Sequence, residues 1–535
     1  MSGFRHPDLP REQQLLYGRK LDDAVPPDHR VRHIDLILRS EALAGTFKKF
    51  EQAYDLSWGR PPYHPRFMAA LYLYGMLNGI RSSRQLEAAC HNRIDVRWLM
   101  EEQCPDHSKI AGFVKKHADD LALLLRDIVM VGRRAGLVKL DLVAVDGTKI
   151  EANAGKASVK TRDALARELE GINAKLTQLE EEWKRNEDAE AALLDEVQWI
   201  AHEGEMKDRQ KSFQRERDKV QKALEAISRR EEKRTRKNAK VAKVASTTDP
   251  DSRRMEGKDG QVRPNYNAQI AVDAASGMIV AQAVNDDAED SGQLKPMTDQ
   301  VAENAGEAPQ AVVADSGYNS GKDLADLEDD DITTYVADPR QPRSGFSEET
   351  RDAMQAVAQD RPLTKEELKA LPRDNKGRFK NYAFHFDRGK NAFRCPAGHW
   401  MAYSSKSKEQ AKHGFVMRYT YRLKDKCATC PLASQCCKNP SQGRSVTRDE
   451  FEEQRQRLRT RMLTKEGKKK YRRRAPLVEG TFSLLKSARG LRRFLRRGQR
   501  ATGIEFALEC GAVNLSILAK NWGDVRLVLG KTIAK

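Results

Sequence analysis

The sequence lacks a continuous apolar run approaching the roughly 20 residues that a membrane-spanning helix needs. Its opening segment, MSGFRHPDLPREQQ, also lacks the apolar core of a signal peptide. On both grounds we expect a cytoplasmic protein that acts away from membranes.

Acidic residues are too few to balance the basic ones. The 535 residues include 96 Lys and Arg against 78 Asp and Glu, which gives a formal net charge of +18. A chain this basic is expected to bind a polyanion, because displacing counterions from nucleic acid favours association. Ribosomal and RNA-binding proteins share this charge, so it does not distinguish DNA from RNA.

Three acidic residues stand where metal-binding carboxylates are expected. Asp146 and Asp315 each follow a short apolar run typical of a buried strand, and Glu479 opens a helix-like run. If the two strands are neighbours, their carboxyl ends meet at one edge of a sheet. Carboxylate oxygens suit Mg²⁺, and two such ions can clamp the attacking and leaving oxygens of a phosphodiester. The pattern therefore predicts a two-metal phosphoryl-transfer site.

Each acid also has a simpler interpretation. A single Asp after a strand is more often a turn former or a helix N-cap. A Glu in a helix beside arginines is usually half of a solvated ion pair. Three acids in matched contexts favour the catalytic interpretation.

The segments between these acids indicate the fold. YNAQIAVD (266–273), a Ser276-Gly277 turn and MIVAQAV (278–284) predict a β-hairpin. A strand, a hairpin, a second strand and a late helix carrying Glu479 predict an α/β fold with an RNase H-like mixed sheet.

The chain resembles the DDE transposases of bacterial insertion sequences. The resemblance lies in DGTKIEANA around Asp146, ADSGYNSGKDL around Asp315 and VEGTFSLLKSARGLRRFLRRG around Glu479. That family's signature around the third acid corresponds here to Tyr471, Arg474, Glu479 and Lys486. The step from Arg474 to Glu479 is one residue longer than in the best-known form of the signature, so Arg472 and Arg473 are alternatives to Arg474.

The resemblance implies a function and its cofactors. Asp146, Asp315 and Glu479 would hold two Mg²⁺ or Mn²⁺ ions, and an activated water would free a DNA 3′-hydroxyl that attacks target DNA. Lys486 and Arg474 would stabilise charge on the phosphates or fix the transposon end. The implied partner is double-stranded DNA, both the terminal repeats of the element and the target, bound by a homodimer or a higher oligomer.

Two other functions remain open. The chain is either a transposase as described, a DNA-binding protein descended from a transposase that no longer catalyses, or an RNase H-like nuclease that cuts without joining. In the transposase, Tyr471 would pack on or hydrogen-bond a flanking nucleotide.

The N-terminal region is similar to the helical module that precedes the catalytic domain in these transposases. Its apolar residues fall at helical spacing, namely Phe67, Leu71, Tyr74 and Leu77. Arg81 and Arg84 follow, and either contact phosphates or keep the helix soluble.

We expect four parts in the chain. They are an N-terminal helical DNA-binding module (1–138), a catalytic domain in three segments (139–157, 246–340 and 466–535), a charged helical hairpin (158–245) and an insertion with a cysteine cluster (341–465). The hairpin has an apolar stripe that alternates steps of four and three, as in a coiled-coil seam: Leu165, Leu169, Ile172, Leu176, Leu179 and Trp183. This arm pairs subunits, tracks DNA or is a solvated spacer.

The eight cysteines are unevenly spread, and five lie in one stretch: Cys395, Cys427, Cys430, Cys436 and Cys437. A reducing cytoplasm argues against disulfides. The two-residue gap between Cys427 and Cys430 suits two thiolates on one Zn²⁺. Cys395 and Cys436 are the expected third and fourth ligands, with Cys437 or His399 as substitutes. The alternative is a set of reduced free thiols.

Arginines crowd the segment after Glu479. Forked, always-charged guanidinium groups suit phosphates, so this segment predicts a DNA-binding surface, with a solvated basic face as the alternative. The arginines concerned are Arg489, Arg492, Arg493, Arg496 and Arg497. The apolar segment 504–518 that follows predicts a core helix.

Overall fold

The computed structural model describes residues 20–55, 61–190, 196–232, 243–257, 259–338, 346–411, 414–423 and 426–533. Residues 1–19, whose composition predicts no signal peptide, lie outside this description. Ahead of the first strand the described chain is helical, as predicted, with α1 (Arg30–Arg39), α2 (Glu41–Gln52), α3 (Pro65–Leu77), α4 (Ser83–Asn92), α5 (Ile94–Leu99), α6 (His107–Lys116) and α7 (Asp120–Arg134).

The helix α3 is central to this N-terminal region. Pro65 begins α3, where its missing N–H costs nothing, and the His64 imidazole accepts a hydrogen bond from the Arg66 N–H at 3.2 Å. Almost all of α3 is buried, because the neighbouring helices and a C-terminal helix surround it. The buried residues include those at the predicted spacing: Phe67, Leu71, Tyr74 and Leu77.

The main sheet lies between residues 143 and 336. The elements there are β1 (Val143–Glu151), β2 (Val159–Thr161), α8 (Arg162–Glu190), α9 (Glu196–Glu232), β3 (Val244–Ser246), β4 (Arg253–Glu256), β5 (Val262–Asp273), β6 (Ile279–Asn285), α10 (Leu294–Ala305), β7 (Ala311–Ala314), α11 (Gly321–Asp329) and β8 (Thr333–Val336). β5 pairs antiparallel with β1 on one edge and with β6 and β4 on the other. β1 pairs parallel with β7, and β7 pairs parallel with β8. The sheet is therefore mixed, as predicted.

The predicted hairpin is confirmed as β5 and β6. The turn between them contains Gly277 with a φ of 72°, a conformation that glycine adopts without strain. The Asp273 carboxylate stabilises the turn by accepting from the N–H groups of Ala275 and Ser276.

Two long helices, α8 and α9, form the helical insertion. They pack against each other, and the short strands β2 and β3 pair at their base. The seam between the helices is apolar and includes the predicted stripe residues Leu165, Ile172 and Leu176. It faces Val220, Ala223 and Ile227 of α9.

A second sheet follows the main one. Its region contains α12 (Glu348–Ala356), α13 (Lys365–Ala370), β9 (His385–Asp387), β10 (Ala392–Arg394), β11 (Trp400–Ala411), β12 (Gly414–Leu423) and β13 (Arg444–Asp449). The five strands pair antiparallel in the order β13, β12, β11, β10, β9. This sheet has its own hydrophobic core, in which Phe393, Met401 and Tyr421 pack with the cysteines.

The chain ends in helices: α14 (Glu452–Leu463), α15 (Lys465–Arg472), α16 (Arg474–Ser483), α17 (Gln499–Lys520) and α18 (Trp522–Ile533). A π-helical turn, Leu484–Ala488, continues α16. By length and composition α17 is apolar enough to cross a membrane, but 78% of its apolar stretch is buried inside the protein. Glu505, Glu509 and Asn514 interrupt that stretch. α17 is therefore a core helix, as the sequence predicts.

A buried charged cluster joins α17 to the N-terminal helices. The Arg81 guanidinium lies 2.6 Å from Glu505 and 2.9 Å from Glu509, and all three side chains are at most 9% exposed. Arg81 also donates to the carbonyls of Gly490 and Arg493. Two buried carboxylates require a cation, and Arg81 is that cation. Its guanidinium is therefore engaged inside the protein and does not contact a phosphate, as one interpretation of the sequence had it.

Substituting Arg81 should be strongly destabilising. In Arg81→Met the two buried carboxylates lose their shared partner, which costs about 3 to 5 kcal/mol of unfolding free energy. Urea denaturation measures this. Arg84→Met is the matched control, since Arg84 of the same RSSR motif is exposed; equal effects of the two substitutions would contradict the assignment.

Candidate active site

Two of the predicted acids lie side by side in the main sheet. In the parallel pairing of β1 with β7, Val145 is opposite Ala314, so the next residues, Asp146 and Asp315, occupy neighbouring positions. Paired strands lie about 4.8 Å apart. The strand β1 does not end at Asp146, as its sequence suggests, but continues to Glu151 in its pairing with β5. Asp315 does follow the last residue of its strand.

Asp146 is held by two donors. Its Oδ1 accepts from the Gly147 N–H at 2.8 Å, and its Oδ2 accepts from Arg474 Nη1 at 3.0 Å. Burial raises the pKa of Asp146 to about 6; Arg474 opposes this shift, and Asp315 and Asp290 add to it. The site therefore concentrates negative charge in a partly buried position.

A third carboxylate at this site, Asp290, is not among the predicted residues. It lies between β6 and α10, and its Oδ1 accepts from Asn267 Nδ2 and Gln269 Nε2, each at 2.7 Å. A Cβ on Gly147 would lie 2.8 Å from Asp290 Oδ1, so glycine makes room for this carboxylate. The loop NDDAEDSG holds four acids, and the pattern alone does not single out Asp290.

Tyr318 lies beneath the acids and is fully buried. Its hydroxyl donates to Gln269 Oε1, which directs the Gln269 amide nitrogen toward Asp290. Burial raises the pKa of Tyr318 above its ordinary value, and the nearby acids add to the shift. Tyr318 therefore stays protonated and orients Gln269.

Glu479, the third predicted acid, lies on α16 and is exposed. The helix α16 packs on β1, so Glu479 is carried by an element that borders the aspartate pair. Within the described residues, no group of three or more His, Cys, Asp or Glu is arranged to hold a metal ion. The structure thus brings Asp146 and Asp315 together, with Asp290, and does not gather Glu479 into the same cluster.

The predicted cations of the signature lie along β1. Arg474 pairs with Asp146. Lys486 Nζ donates to Thr148 Oγ1 at 2.7 Å and to the Lys149 carbonyl at 2.9 Å. Asp146 and Thr148 share one face of the strand, so both cations lie over the same surface.

The neighbouring residues of the signature are placed differently. Tyr471, on α15, is half-buried against the main core. Arg472 and Arg473 are exposed, and Arg473 donates to the Ala274 carbonyl at 3.0 Å. Of these three consecutive arginines, Arg474 is the one paired with a predicted acid.

The arginines after Glu479 are not equivalent. Arg489 is 4% exposed and donates to the carbonyls of Glu509 and Ala512, so the structure places it in the core and not on a DNA-facing surface. Arg496 is half-buried and donates to the Tyr72 hydroxyl at 3.3 Å. The remaining three are exposed: Arg492, Arg493 and Arg497.

Comparisons with known proteins identify two matching segments. Residues 394–519 match the family model described as Transposase DDE domain, and residues 19–116 match Transposase domain (DUF772). The first match contains Glu479 and ends before the last helix; Asp146 and Asp315 lie outside both matches. No curated protein and no solved structure matches the chain.

The raised pKa of Asp146 predicts a pH dependence of stability in the metal-free protein. The Asp146 carboxyl holds its proton more tightly in the folded protein than in the unfolded chain. Its contribution to the free energy of unfolding is therefore complete below the ordinary pKa of 3.8 and is lost as pH rises through about 6. The unfolding free energy of the wild type should thus fall by about 3 kcal/mol more across this pH range than that of Asp146→Asn, whose side chain cannot ionise. Urea denaturation across this pH range measures it.

Two further substitutions test the causes of that shift. The curve of unfolding free energy against pH should have an inflection near the pKa of Asp146. Asp290→Asn should move this inflection to lower pH and Arg474→Gln should move it to higher pH, because Asp290 raises the pKa of Asp146 and Arg474 lowers it. An inflection unaffected by either substitution would rule out Asp146 as its source.

Proposed function

The chain belongs to the DDE transposases of insertion sequences, and from that premise we propose that it cleaves DNA at the ends of an insertion sequence and transfers the strands into target DNA. The observation that carries this proposal is the adjacency of Asp146 and Asp315 on parallel strands of a mixed sheet. A DDE domain implies an RNase H-like fold. The catalytic residues proposed are Asp146, Asp315 and Glu479.

DDE transposases use divalent metal ions, typically Mg²⁺. The residues present fit such ions: two carboxylates are adjacent, and burial raises the pKa of Asp146, a shift that a nearby divalent charge would oppose. We propose that the three acids hold two Mg²⁺ or Mn²⁺ ions. When bound, the ions supply Lewis acidity at the scissile phosphate and lower the pKa of the attacking hydroxyl.

Arg474 and Lys486 are proposed to neutralise phosphate charge. Arg474 and Asp146 form an ion pair in which each side chain is 15% exposed. Arg474 would bind a phosphate oxygen with its forked guanidinium if a divalent ion took over its pairing with Asp146. Lys486 is already anchored on β1 by its bonds to Thr148 and Lys149.

Glu479 is proposed to complete the site in the DNA complex. Its side chain is exposed, so turning it toward the aspartate pair breaks no buried contact. A long, flexible Glu on a packed helix suits this role, because the helix fixes the backbone while the rotamer adapts.

The DNA-binding surface is proposed to extend from Glu479 along the following basic segment. This segment is not helical: the Glu151 N–H donates to the Arg492 carbonyl at 3.1 Å, and the Phe494 N–H donates to the Glu151 carbonyl at 2.8 Å. Its backbone is therefore tied to the end of β1, the strand that carries Asp146. Tyr471, Arg474 and Lys486 belong to the same proposed surface, with Arg492, Arg493, Arg496 and Arg497.

The proposed organisation keeps four parts. They are the N-terminal DNA-binding module (1–138), the catalytic domain (139–157, 246–340 and 466–535), the helical hairpin (158–245) and the cysteine-containing insertion (341–465). Because transposition joins two element ends, we propose a homodimer or higher oligomer on DNA.

An assay of cleavage and joining tests the proposal. Full-length protein is incubated with Mg²⁺, DNA carrying its own element ends and a target plasmid. Asp146→Asn, Asp315→Asn and Glu479→Gln should each abolish cleavage and joining while retaining DNA binding. Glu303→Gln, which alters an exposed acid on α10, is the control and should remain active.

The same assay separates the other functions. Cleavage by the wild type without joined products would identify a nuclease that does not transpose. Binding of element ends without cleavage by any variant or the wild type would identify a DNA-binding protein that has lost catalysis.

The basic segment predicts a change in the salt dependence of DNA binding. Replacing Arg492, Arg493 and Arg497 together by Gln should reduce the slope of log K against log salt by about 2 to 3, since each phosphate contact contributes about 0.9. Binding titrations at several salt concentrations measure it. The control replaces three exposed lysines of the cysteine-containing insertion (341–465) by Gln: Lys365, Lys369 and Lys376. A similar loss in the control would indicate a general effect of net charge.

A further inference from the structure

Five cysteines from three separate stretches of the cysteine-containing insertion line one small cavity. Its volume is about 20 Å³, which is room for a single ion or water. The cysteines are Cys395, Cys427, Cys430, Cys436 and Cys437. All are free thiols, and all but Cys430 are buried.

The thiols lie close to one another. Cys395, Cys427, Cys436 and Cys437 pack in one buried cluster, and Cys430 lines the same cavity. The cavity therefore brings Cys395 beside the other two stretches, across the long gap in sequence that separates it from them.

The backbone around Cys395 forms a tight turn. The Gly398 N–H donates to the Cys395 carbonyl at 2.8 Å, and Gly398 has a φ of 82°. The Cys395 N–H donates to the His399 carbonyl at 2.9 Å. These backbone bonds hold Cys395 in place at the wall of the cavity.

The loop that carries the other four cysteines has little regular structure to hold it. Between β12 and β13, the described part of the chain contains one short 3-10 turn, Ala433–Gln435. The core of the second sheet includes Cys395, Cys427, Cys436 and Cys437 themselves. Small units of this kind are commonly stabilised by a metal or by disulfides.

We propose that Cys395, Cys427, Cys430 and Cys436 bind one structural Zn²⁺ that fixes this loop onto the second sheet. Thiolate sulfur is the preferred ligand of tetrahedral structural zinc, and the ligand set is closed to substrate. Within the described residues, no such group is already arranged to hold a metal. Binding of the ion would require the thiols to turn toward the cavity and to release their protons to solvent.

Cys436 and Cys437 are neighbours in the sequence, and both are buried and line the cavity. We assign Cys436 as the fourth ligand, and Cys437 is the alternative that the variants below distinguish. His399 also lines the cavity, and four thiols fill a tetrahedral site without it.

Metal analysis of the full-length protein, purified without chelators, tests the proposal. We expect about one zinc per chain, and on replacement by Co²⁺ the intense sulfur-to-cobalt charge-transfer absorption of a four-thiolate site. Cys430→Ser and Cys395→Ser should lower zinc content to near zero. The cobalt spectrum of the wild type keeps the test decisive if a variant fails to fold.

Two control variants sharpen the assignment. Cys437→Ser should retain zinc although it alters the same cavity, and Cys104→Ser, in the N-terminal region, should also retain it. Loss of zinc in Cys437→Ser with retention in Cys436→Ser would overturn the assignment of the fourth ligand. Substoichiometric zinc in the wild type, with a disulfide within the cluster or with all five thiols freely reactive, would overturn the zinc site itself.

Discussion

The parallel pairing of β1 with β7 is the constraint on which the proposed active site depends. It fixes Asp146 beside Asp315 and so places two like charges in a partly buried position. The protein offsets part of this cost with oriented donors, namely the Gly147 N–H and the Arg474 guanidinium. The positions of the two aspartates therefore follow from strand register, and residues added from loops and helices, such as Asp290, adjust the charge around them.

Local patterns predicted much of this arrangement. The apolar strands, the hairpin of β5 and β6 and the helices α3 and α17 have periodicity and turn residues that act over a few positions. The burial of arginines is not a local property. Arg81 and Arg84 share one motif, yet packing against α17 buries the first and leaves the second exposed. For the same reason the sequence did not distinguish Arg489 from the arginines that follow it, nor Asp290 from the other acids of its loop.

The helix α17 connects the N-terminal helices to the main sheet. Its Asn514 side chain bonds to both the N–H and the carbonyl of Ile279 on β6, each at 2.8 Å, and so extends the hydrogen bonding at the edge of that strand. Its Glu505 and Glu509 hold Arg81. The N-terminal helices and the main sheet consequently share one hydrophobic core. A displacement of the N-terminal helices relative to the sheet would therefore break these buried ion pairs.

Charge balance at the acids bears on how the proposed site would receive a phosphate. Asp315 and Asp290 both raise the pKa of Asp146, and Arg474 is the cation paired with Asp146. A phosphate adds another negative charge, and two like charges 4 Å apart near a protein surface repel by about 4 kcal/mol. Arg474 cannot fully neutralise the carboxylate and the phosphate at once. Lys486 lies over the same surface as Arg474, and the proposed divalent ions, for which adjacent carboxylates provide oxygen ligands, would add to the positive charge available to a phosphate.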